Sequence, residues 1–455
     1  MTLLAADIND AGITVLNGKA VLYREPGFAL LEEDGLTTGR EAYRFARIKP
    51  RRIQDHYWSQ LTTVPLPDRR FAHLSAADVV SRQLEQIWQR AGSAGDRLVI
   101  AVPAYMQNEN LGLLLGICNE LGIPVAALVD AAVAATRREY RNAALVHVDF
   151  SLHSALLTRV GQAGQVQVEK TAVVEDSGLI ALYESWIGTI AEAFVQQSRF
   201  DPLHTAETEQ MLLDRIPGWL SAAASGGTVP VELEYRGIGH SAEIEALELV
   251  SAAAPVYQRV VAQLRALFRA DDTPATQLTD RAAAMPGLAD MLKARVGGDV
   301  YLLESGAAAR GLLNRCRDFA AGGGRVSLVR QLPWDQSAIE VEPAAQAGSG
   351  GQPTHILHEN TAFALGTTPL NVGSQGVSGE RWIELERDMP GVSRRHCVLL
   401  LENGQCVVRD FSRYGTFLNG HKLEGSAVLQ IGDLLRLGTP GYELRLIATE
   451  DAGAA

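Results

Sequence analysis

Two short segments near the C-terminus combine hydroxyl and guanidinium side chains. The first is Ser-Arg-Arg-His at residues 393–396, and the second is Ser-Arg-Tyr-Gly-Thr at residues 412–416. Serine hydroxyls and arginine guanidiniums both donate hydrogen bonds to anionic oxygens, and arginine adds a full positive charge. On loops at one end of a rigid β scaffold, such side chains form an oxyanion-binding surface. The chemistry predicted for this region is therefore anion binding.

The residues between the two segments predict the element that positions them. Apolar runs at 398–401 and 406–408 flank Asn403-Gly404, a dipeptide typical of the tight turn of a β-hairpin. One segment enters this hairpin and the other leaves it. Both segments are therefore expected at the same end of a small sheet.

This pattern resembles the forkhead-associated (FHA) domain, a β-sandwich family that reads phosphothreonine peptides. The resemblance implies phosphopeptide contacts from Ser393, Arg394, Ser412, Arg413 and Tyr414. It implies structural roles for Gly373, His396, Gly415, Thr416 and Asn419. His396 resembles the histidine that braces the two loops in the family, so we do not expect it to be catalytic.

The sequence departs from the FHA pattern at two positions. The family usually has Gly-Arg on an early loop, whereas Gly373 is followed here by Ser374. Arg381 or Arg387, in the long segment before Ser393, are candidates to replace that arginine. Tyr414 stands where the family commonly has asparagine, which implies altered peptide specificity. An FHA fold used for phosphate-independent contacts is the alternative.

Composition places a larger α/β region before this module. Strand-like and helix-like segments alternate along most of the chain, with residues 2–16 predicted as one strand. Small residues then dominate at 343–353, which is typical of a linker, and only short strands follow. We predict a multidomain protein with an α/β domain at 1–335, a flexible linker at 336–353 and an all-β FHA sandwich at 354–450.

The α/β region resembles the nucleotide-binding domain of the Hsp70/actin-like, ribonuclease H-like proteins. A strand at 98–102 ends in Val-Pro-Ala-Tyr and is followed by a helix, as in Hsp70 proteins. The similarity runs in patches over residues 1 to about 330. It implies that Asp7, Asp130 and Asp149 occupy the acidic positions of a vestigial nucleotide site.

The loops of that resemblance lack the residues that would hold a nucleotide. Neither the segment after Asp7 nor the one after Asp149 contains the glycine and hydroxyl run that lets backbone amides approach phosphates. Asp280-Arg281-Ala282 stands where the adenosine loop would carry Gly-Gly-Ser. We expect a fold retained without ATP hydrolysis, with no cofactor and no catalytic residue. An ATP- and magnesium-binding switch coupled to the FHA module is the alternative.

Charge and cysteine content exclude several other functions. The net charge of −12 disfavours nucleic acid and anionic membranes as partners. The four cysteines are too few and scattered for a zinc site or a disulfide framework, although Cys397 and Cys406 could face each other as thiols. His147 and His153 flank Asp149, but packed or capping roles are expected, and no metal site is predicted. The N-terminus has no signal-peptide pattern, so a cytoplasmic protein is expected.

The function predicted from these features is that of a non-catalytic signalling adaptor. The FHA module would bind a phosphothreonine-containing protein, such as a Ser/Thr kinase or its substrate. The Hsp70-like body would act as a protein-interaction scaffold. The sequence does not identify the partner, the pathway or the oligomeric state.

Overall fold

A computed structural model describes most of the chain. The described residues are 2–33, 35–224, 226–316, 326, 328–335, 353–358, 361–385, 391–402, 405–418, 421–423, 425–430, 433–438 and 441–447. Contacts divide the chain into two compact units, Met1–Asp335 and Gln336–Ala455. The predicted linker therefore lies almost entirely outside the described residues. Within them, no helix is both long enough and apolar enough to cross a bilayer.

The first unit mixes strands and helices, as the sequence predicts. Its strands are β1 (Leu3–Asp7), β2 (Ile13–Asn17), β3 (Ala20–Glu25), β4 (Ala29–Glu32), β5 (Gly35–Thr38), β6 (Ile53–Gln54), β7 (Arg97–Val102), β8 (Val125–Asp130), β9 (Ala144–Phe150), β10 (Ala155–Gly161), β11 (Val166–Val174), β12 (Thr228–Tyr235), β13 (Ile238–Glu245), β14 (Pro274–Leu278), β15 (Asp299–Leu302), β16 (Leu328–Val329) and β17 (Gln331–Leu332). Its helices are α1 (Arg40–Tyr43), α2 (Ala76–Ala91), α3 (Asn108–Glu120), α4 (Ala131–Ala135), α5 (Leu179–Ser198), α6 (Ala206–Ala223), α7 (Ala246–Arg265), α8 (Asp280–Ala283), α9 (Leu288–Arg295) and α10 (Ala307–Arg315), with 3₁₀ turns at Pro50–Arg52 and Arg69–Phe71.

Two six-stranded sheets of this unit share one plan. Their strand orders are β16-β8-β7-β1-β2-β3 and β15-β14-β9-β10-β11-β17. In each sheet, three antiparallel strands follow one another, and two later strands pair parallel on the other side of the first. The sequence shows no repeat, so this duplication exists in strand pairing alone. Smaller sheets of order β5-β4-β6 and β12-β13 complete the unit.

Apolar residues of both large sheets join in one buried cluster with helices α4 and α10. A second cluster packs helices α2 and α3 against the first sheet, and a third packs α5, α6 and α7 with the second sheet.

The prediction of a single strand over residues 2–16 is wrong. Residues 8–12 form a loop between β1 and β2, because Asp10 and Asn9 turn inward to bond the neighbouring hairpin.

The second unit is all β among its described residues. Its strands are β18 (His355–His358), β19 (Thr361–Ala364), β20 (Leu370–Gly373), β21 (Arg381–Glu384), β22 (Cys397–Glu402), β23 (Gln405–Asp410), β24 (Thr416–Leu418), β25 (His421–Lys422), β26 (Ser426–Val428), β27 (Leu434–Gly438) and β28 (Gly441–Ile447). They form two sheets, of order β19-β18-β28-β27-β24-β25 and β21-β20-β22-β23-β26, with one apolar core.

The predicted hairpin is present as β22 and β23, although its turn at 403–404 lies outside the described residues. Cys397 pairs with Asp410 across the hairpin, and Cys406 pairs with Leu401. The expectation that the two thiols could face each other is therefore wrong, because the register separates them by four positions. All four cysteines are buried and free.

Candidate functional site

The segment at 391–396 is docked on the end of β20 through backbone hydrogen bonds. The His396 amide donates to the Val372 carbonyl (2.7 Å), and the Ser374 amide donates to Ser393 (3.2 Å). A Cβ at Gly373 would lie 2.1 Å from the carbonyl oxygen of Arg394, well inside van der Waals contact. Only glycine allows this close approach, which sets the position of the Ser-Arg-Arg-His loop.

His396 joins this loop to the second one. Its Nδ1 accepts a hydrogen bond from the Ser393 amide (3.1 Å), and its Nε2 lies 3.1 Å from the Gly415 carbonyl oxygen. Nδ1 can accept only if the ring is neutral, so Nε2 carries the hydrogen and donates to Gly415. Burial lowers the pKa of His396, which favours that neutral form. The residue holds the two loops together.

Asp410 organises the second loop from inside. Its Oδ1 accepts from the Ser412 amide (2.9 Å) and the Thr416 hydroxyl (2.8 Å). Burial alone would raise the pKa of Asp410, but these hydrogen bonds outweigh it and lower the pKa. The Ser412 Oγ accepts from the Gly415 amide (2.7 Å), and Gly415 has a φ of 96°, which favours glycine. Ser412 therefore has a structural role in the turn, and its contact with a ligand stays a prediction.

Ser393 lies where the two loops meet, with its hydroxyl hydrogen available. Its Oγ accepts a hydrogen bond from the Arg413 amide (3.0 Å), so the hydroxyl can still donate to a ligand. Arg394 and Arg413 are exposed beside it, and neither guanidinium makes an ion pair with any described residue. Arg413 lies over the Tyr414 ring, 5.9 Å from its centroid. The predicted ligand residues Ser393, Arg394, Arg413 and Tyr414 thus come together on two adjoining loops.

The missing family arginine is not replaced by Arg381. Strand β21 pairs parallel with β20, and this register sets Arg381 beside Leu370 and Glu384 beside Gly373. Three residues of strand separate Arg381 from the loop end, about 10 Å at the rise of a β-strand. Its guanidinium instead donates to the Thr368 carbonyl (3.4 Å). Arg387 and Asn419 lie outside the described residues.

The family model of the FHA domain matches residues 373–438. The second unit carries an FHA domain. FHA domains bind phosphothreonine-containing proteins, so this unit has a protein-interaction role. No curated protein matches the chain.

A second polar cluster lies in the first unit, where strands β1 and β9 end and helix α8 begins. The Arg281 guanidinium lies between Asp7 and Asp149. Its Nη2 is 3.1 Å from Asp7 Oδ2 and 2.8 Å from Asp149 Oδ2, and its Nε is 3.1 Å from Asp149 Oδ1. A cation of the chain itself thus neutralises both strand-end carboxylates.

Additional donors fix Asp149. The Thr279 hydroxyl donates to its Oδ1 (2.6 Å), and the side-chain amide of Asn9 donates to its Oδ2 (2.8 Å). Burial would raise the pKa of Asp149, but Arg281 and Thr279 outweigh it and lower the pKa to about 2. Asp7 has fewer donors, and burial raises its pKa despite the opposing charge of Arg281. The ionised form is therefore stabilised more strongly at Asp149 than at Asp7.

Hydrogen bonds also join the β1–β2 loop to the end of β9 and the β9–β10 loop. Asn9 donates to the Phe150 carbonyl (3.0 Å), and the Leu152 amide donates to Asp10 Oδ1 (2.8 Å). Asp10 is fully buried, and its Oδ2 has no hydrogen-bond partner among the described residues. Burial raises the pKa of Asp10 to about 6. Polar side chains thus join the β1–β2 loop to the β9–β10 loop.

Asp130 does not join this cluster by any hydrogen bond. Its carboxylate caps α4, accepting from the amides of Ala132 (2.9 Å) and Val133 (3.3 Å). His147, on β9, is buried and contacts Gln277 (3.0 Å), and burial lowers its pKa to about 4. Of the three aspartates that the sequence analysis grouped, the structure brings Asp7 and Asp149 together at Arg281.

Arg281 and Asn9 were missed as members of this cluster. The sequence analysis named Arg281 only as a departure from the resemblance to Hsp70 proteins, and not as a partner of the two aspartates. Beside the cluster lies a cavity of about 750 Å³, lined by Asp7, Asp280 and Arg281 and by the rings of Phe28, Tyr43 and Tyr183.

Proposed function

We propose that this chain is a non-catalytic adaptor whose FHA domain reads phosphothreonine peptides. The observation that carries the proposal is the meeting of Ser393, Arg394 and Arg413 on two loops held by His396. A phosphothreonine group carries close to two negative charges and three strong acceptor oxygens. One hydroxyl donor and two exposed guanidiniums match that charge and geometry.

The two loops that carry Ser393 and Arg413 also expose aromatic rings that can contact the peptide on either side of the phosphothreonine. Tyr414 and Phe411 are more than half exposed, at 54% and 56%. Arg413 lies over the first ring and Arg395 over the second. Exposed rings of this kind contribute apolar contact area at low entropic cost. We propose that they select residues next to the phosphothreonine, in place of the asparagine common in the family.

Replacing Ser393 by alanine should weaken phosphopeptide binding by roughly 10- to 100-fold, because one charge-assisted hydrogen bond contributes about 1.5–3 kcal/mol. The full chain would first be screened on a phosphothreonine peptide array. The selected peptide would then be titrated by fluorescence polarisation. Arg413→Ala should lose a similar factor.

The matched controls are Ser426→Ala, an exposed serine on β26, and Arg409→Ala, whose guanidinium bonds Glu402 (2.6 Å). Both should bind like wild type. The reader proposal fails if no array peptide binds, if the unphosphorylated peptide binds equally, or if Ser393→Ala leaves affinity unchanged.

We further propose that the first unit is an Hsp70/actin-like, ribonuclease H-like scaffold that does not hydrolyse ATP. The two six-stranded sheets with their interleaved helices are compatible with that fold. The lack of hydrolysis is supported by Arg281, which occupies the space between Asp7 and Asp149. For the FHA domain we propose a Ser/Thr kinase or its substrate as the phosphothreonine-containing partner. A cytoplasmic location stays a prediction.

The full chain should show no binding of radiolabelled ATP at micromolar concentration with or without magnesium. The physical reason is that phosphates would meet side chains where other members have backbone amides, and that the local cation is already paired. The opposite result would favour an ATP-dependent switch: micromolar binding in wild type that is lost in Asp7→Ala and in Asp149→Ala.

A further inference from the structure

More positive charge surrounds Ser393 than one phosphate group requires. Four exposed cationic side chains lie on or beside the two loops, and none of them forms an ion pair with a described residue: Arg394, Arg395, Arg413 and Lys422. These four residues are called the cationic surface below. Because a phosphothreonine carries close to two negative charges, the cationic surface exceeds the charge of the phosphate by about two.

The two additional cations both lie beside the second loop. Lys422 stands opposite Phe417 in the pairing of β24 with β25. Its aliphatic stem runs over the loop, since a Cβ at Gly415 would lie only 2.7 Å from Lys422 Cε. The guanidinium of Arg395 lies 5.1 Å from the centroid of the Phe411 ring, directly before this loop. The cationic surface therefore extends along the second loop.

The segment on the other side of the Ser-Arg-Arg-His loop carries no cation. This segment, at 373–379, reads Gly-Ser-Gln-Gly-Val-Ser-Gly and has no charged side chain. It adjoins the loop directly, because the Gln375 amide donates to the Arg394 carbonyl (3.2 Å). The side chain beside Gly373 in the parallel pairing of β20 with β21 is the acidic, exposed Glu384. The charge around Ser393 is therefore one-sided.

We propose that this domain prefers phosphothreonine peptides with acidic side chains on one flank only, the flank that crosses the second loop and Lys422. This inference rests on the proposed phosphothreonine reading and extends it to the neighbouring residues of the peptide. Each exposed ion pair should strengthen binding by about 1.5- to 5-fold. Acidic residues on the flank that crosses 373–379 meet no cation of that segment, so they should bring no comparable gain.

The test compares three versions of a phosphothreonine peptide selected on the array. One version has its flanking charges removed, one has two aspartates before the phosphothreonine, and one has two aspartates after it. Fluorescence polarisation with the full chain should show binding about 3- to 10-fold tighter for one aspartate version than for the neutral version. The other aspartate version should differ from the neutral one by less than about twofold. At about 0.5 M salt the preference should largely disappear, because exposed charges are then screened.

Substitutions assign the preference to the additional cations. Lys422→Gln should remove most of the ratio between the acidic and neutral affinities, and Arg395→Gln should reduce it. Arg409→Gln is the matched control, because this guanidinium already bonds Glu402 (2.6 Å), and it should keep the wild-type ratio. Both test positions are exposed, so the folded domain should still bind the neutral peptide.

The outcomes distinguish this inference from the proposed function. If no version binds, or if the unphosphorylated peptide binds equally, the phosphothreonine reading fails and this inference fails with it. If the peptides bind through their phosphate but neither or both aspartate versions bind more tightly, this inference alone is overturned. It is also overturned if Lys422→Gln keeps the wild-type ratio.

Discussion

Replacing Arg281 by methionine is expected to destabilise the first unit by about 3–5 kcal/mol at pH 7. The guanidinium is the shared partner of Asp7 and Asp149, whose side chains are only 6% and 7% exposed. Methionine keeps much of the side-chain volume but leaves two buried carboxylates close together without a cation. Chemical denaturation followed by tryptophan fluorescence measures this, since five of the six tryptophans lie in the first unit.

The pH dependence should separate the loss of charge from the loss of packing. In wild type, the pKa of Asp149 is about 2, below its ordinary 3.8, so its contribution is present above pH 4 and is lost as the pH falls toward 2. Without Arg281, burial and mutual repulsion raise the pKa of both carboxylates. The folded variant then binds more protons than the unfolded chain, and its stability should increase as the pH falls from 7 toward 5.

Two further variants give this prediction a sharp control. Arg40→Ala removes an exposed arginine that lines the same cavity, and it should change stability by less than about 0.5 kcal/mol. Adding Asp7→Asn and Asp149→Asn to Arg281→Met should recover much of the loss, because the unpaired charges are then gone. A deficit that is the same at pH 5 and pH 8, and is not recovered by the asparagines, would contradict the charge-pair interpretation.

Local patterns predicted the FHA loops well. Ser393, His396 and Gly415 are linked through two short loops on one hairpin, so their contacts depend on few chain positions. The two apolar runs that flank Asn403-Gly404 were enough to place β22 and β23. The sequence pattern does not reveal the role of Ser412 in the turn, where its Oγ accepts a hydrogen bond from the Gly415 amide.

The contacts that sequence reasoning missed are long-range. Arg281 is 274 positions from Asp7 and 132 from Asp149, and nothing in local spacing selects it as their partner. The parallel pairing of β20 with β21, which removes Arg381 from the ligand face, likewise depends on a register fixed by the tertiary fold. The shared plan of the two large sheets escaped detection since strand pairing constrains burial patterns and not residue identity.

Replacing Gly373 by alanine is expected to weaken phosphopeptide binding by about 100-fold or more while the sandwich still folds. The added methyl would lie 2.1 Å from the Arg394 carbonyl oxygen and 2.9 Å from that of Ser393. Both neighbours are backbone atoms, so no rotamer change relieves the clash. The loop must move outward, which breaks the hydrogen bonds from the amides of Ser374 and Gln375 (both 3.2 Å).

Such a movement would displace Ser393 and Arg394 together, so the expected loss exceeds that of either single substitution. Overpacking of this kind costs about 1–3 kcal/mol of stability, which the shared core of the sandwich should tolerate. Gly366→Ala is the matched control, because its Cβ would meet only the Arg381 side chain at an ordinary 3.9 Å. Peptide titration and amide NMR spectra of the full chain measure both effects. Wild-type affinity in Gly373→Ala would mean that the loop position set by this close approach does not govern phosphate binding.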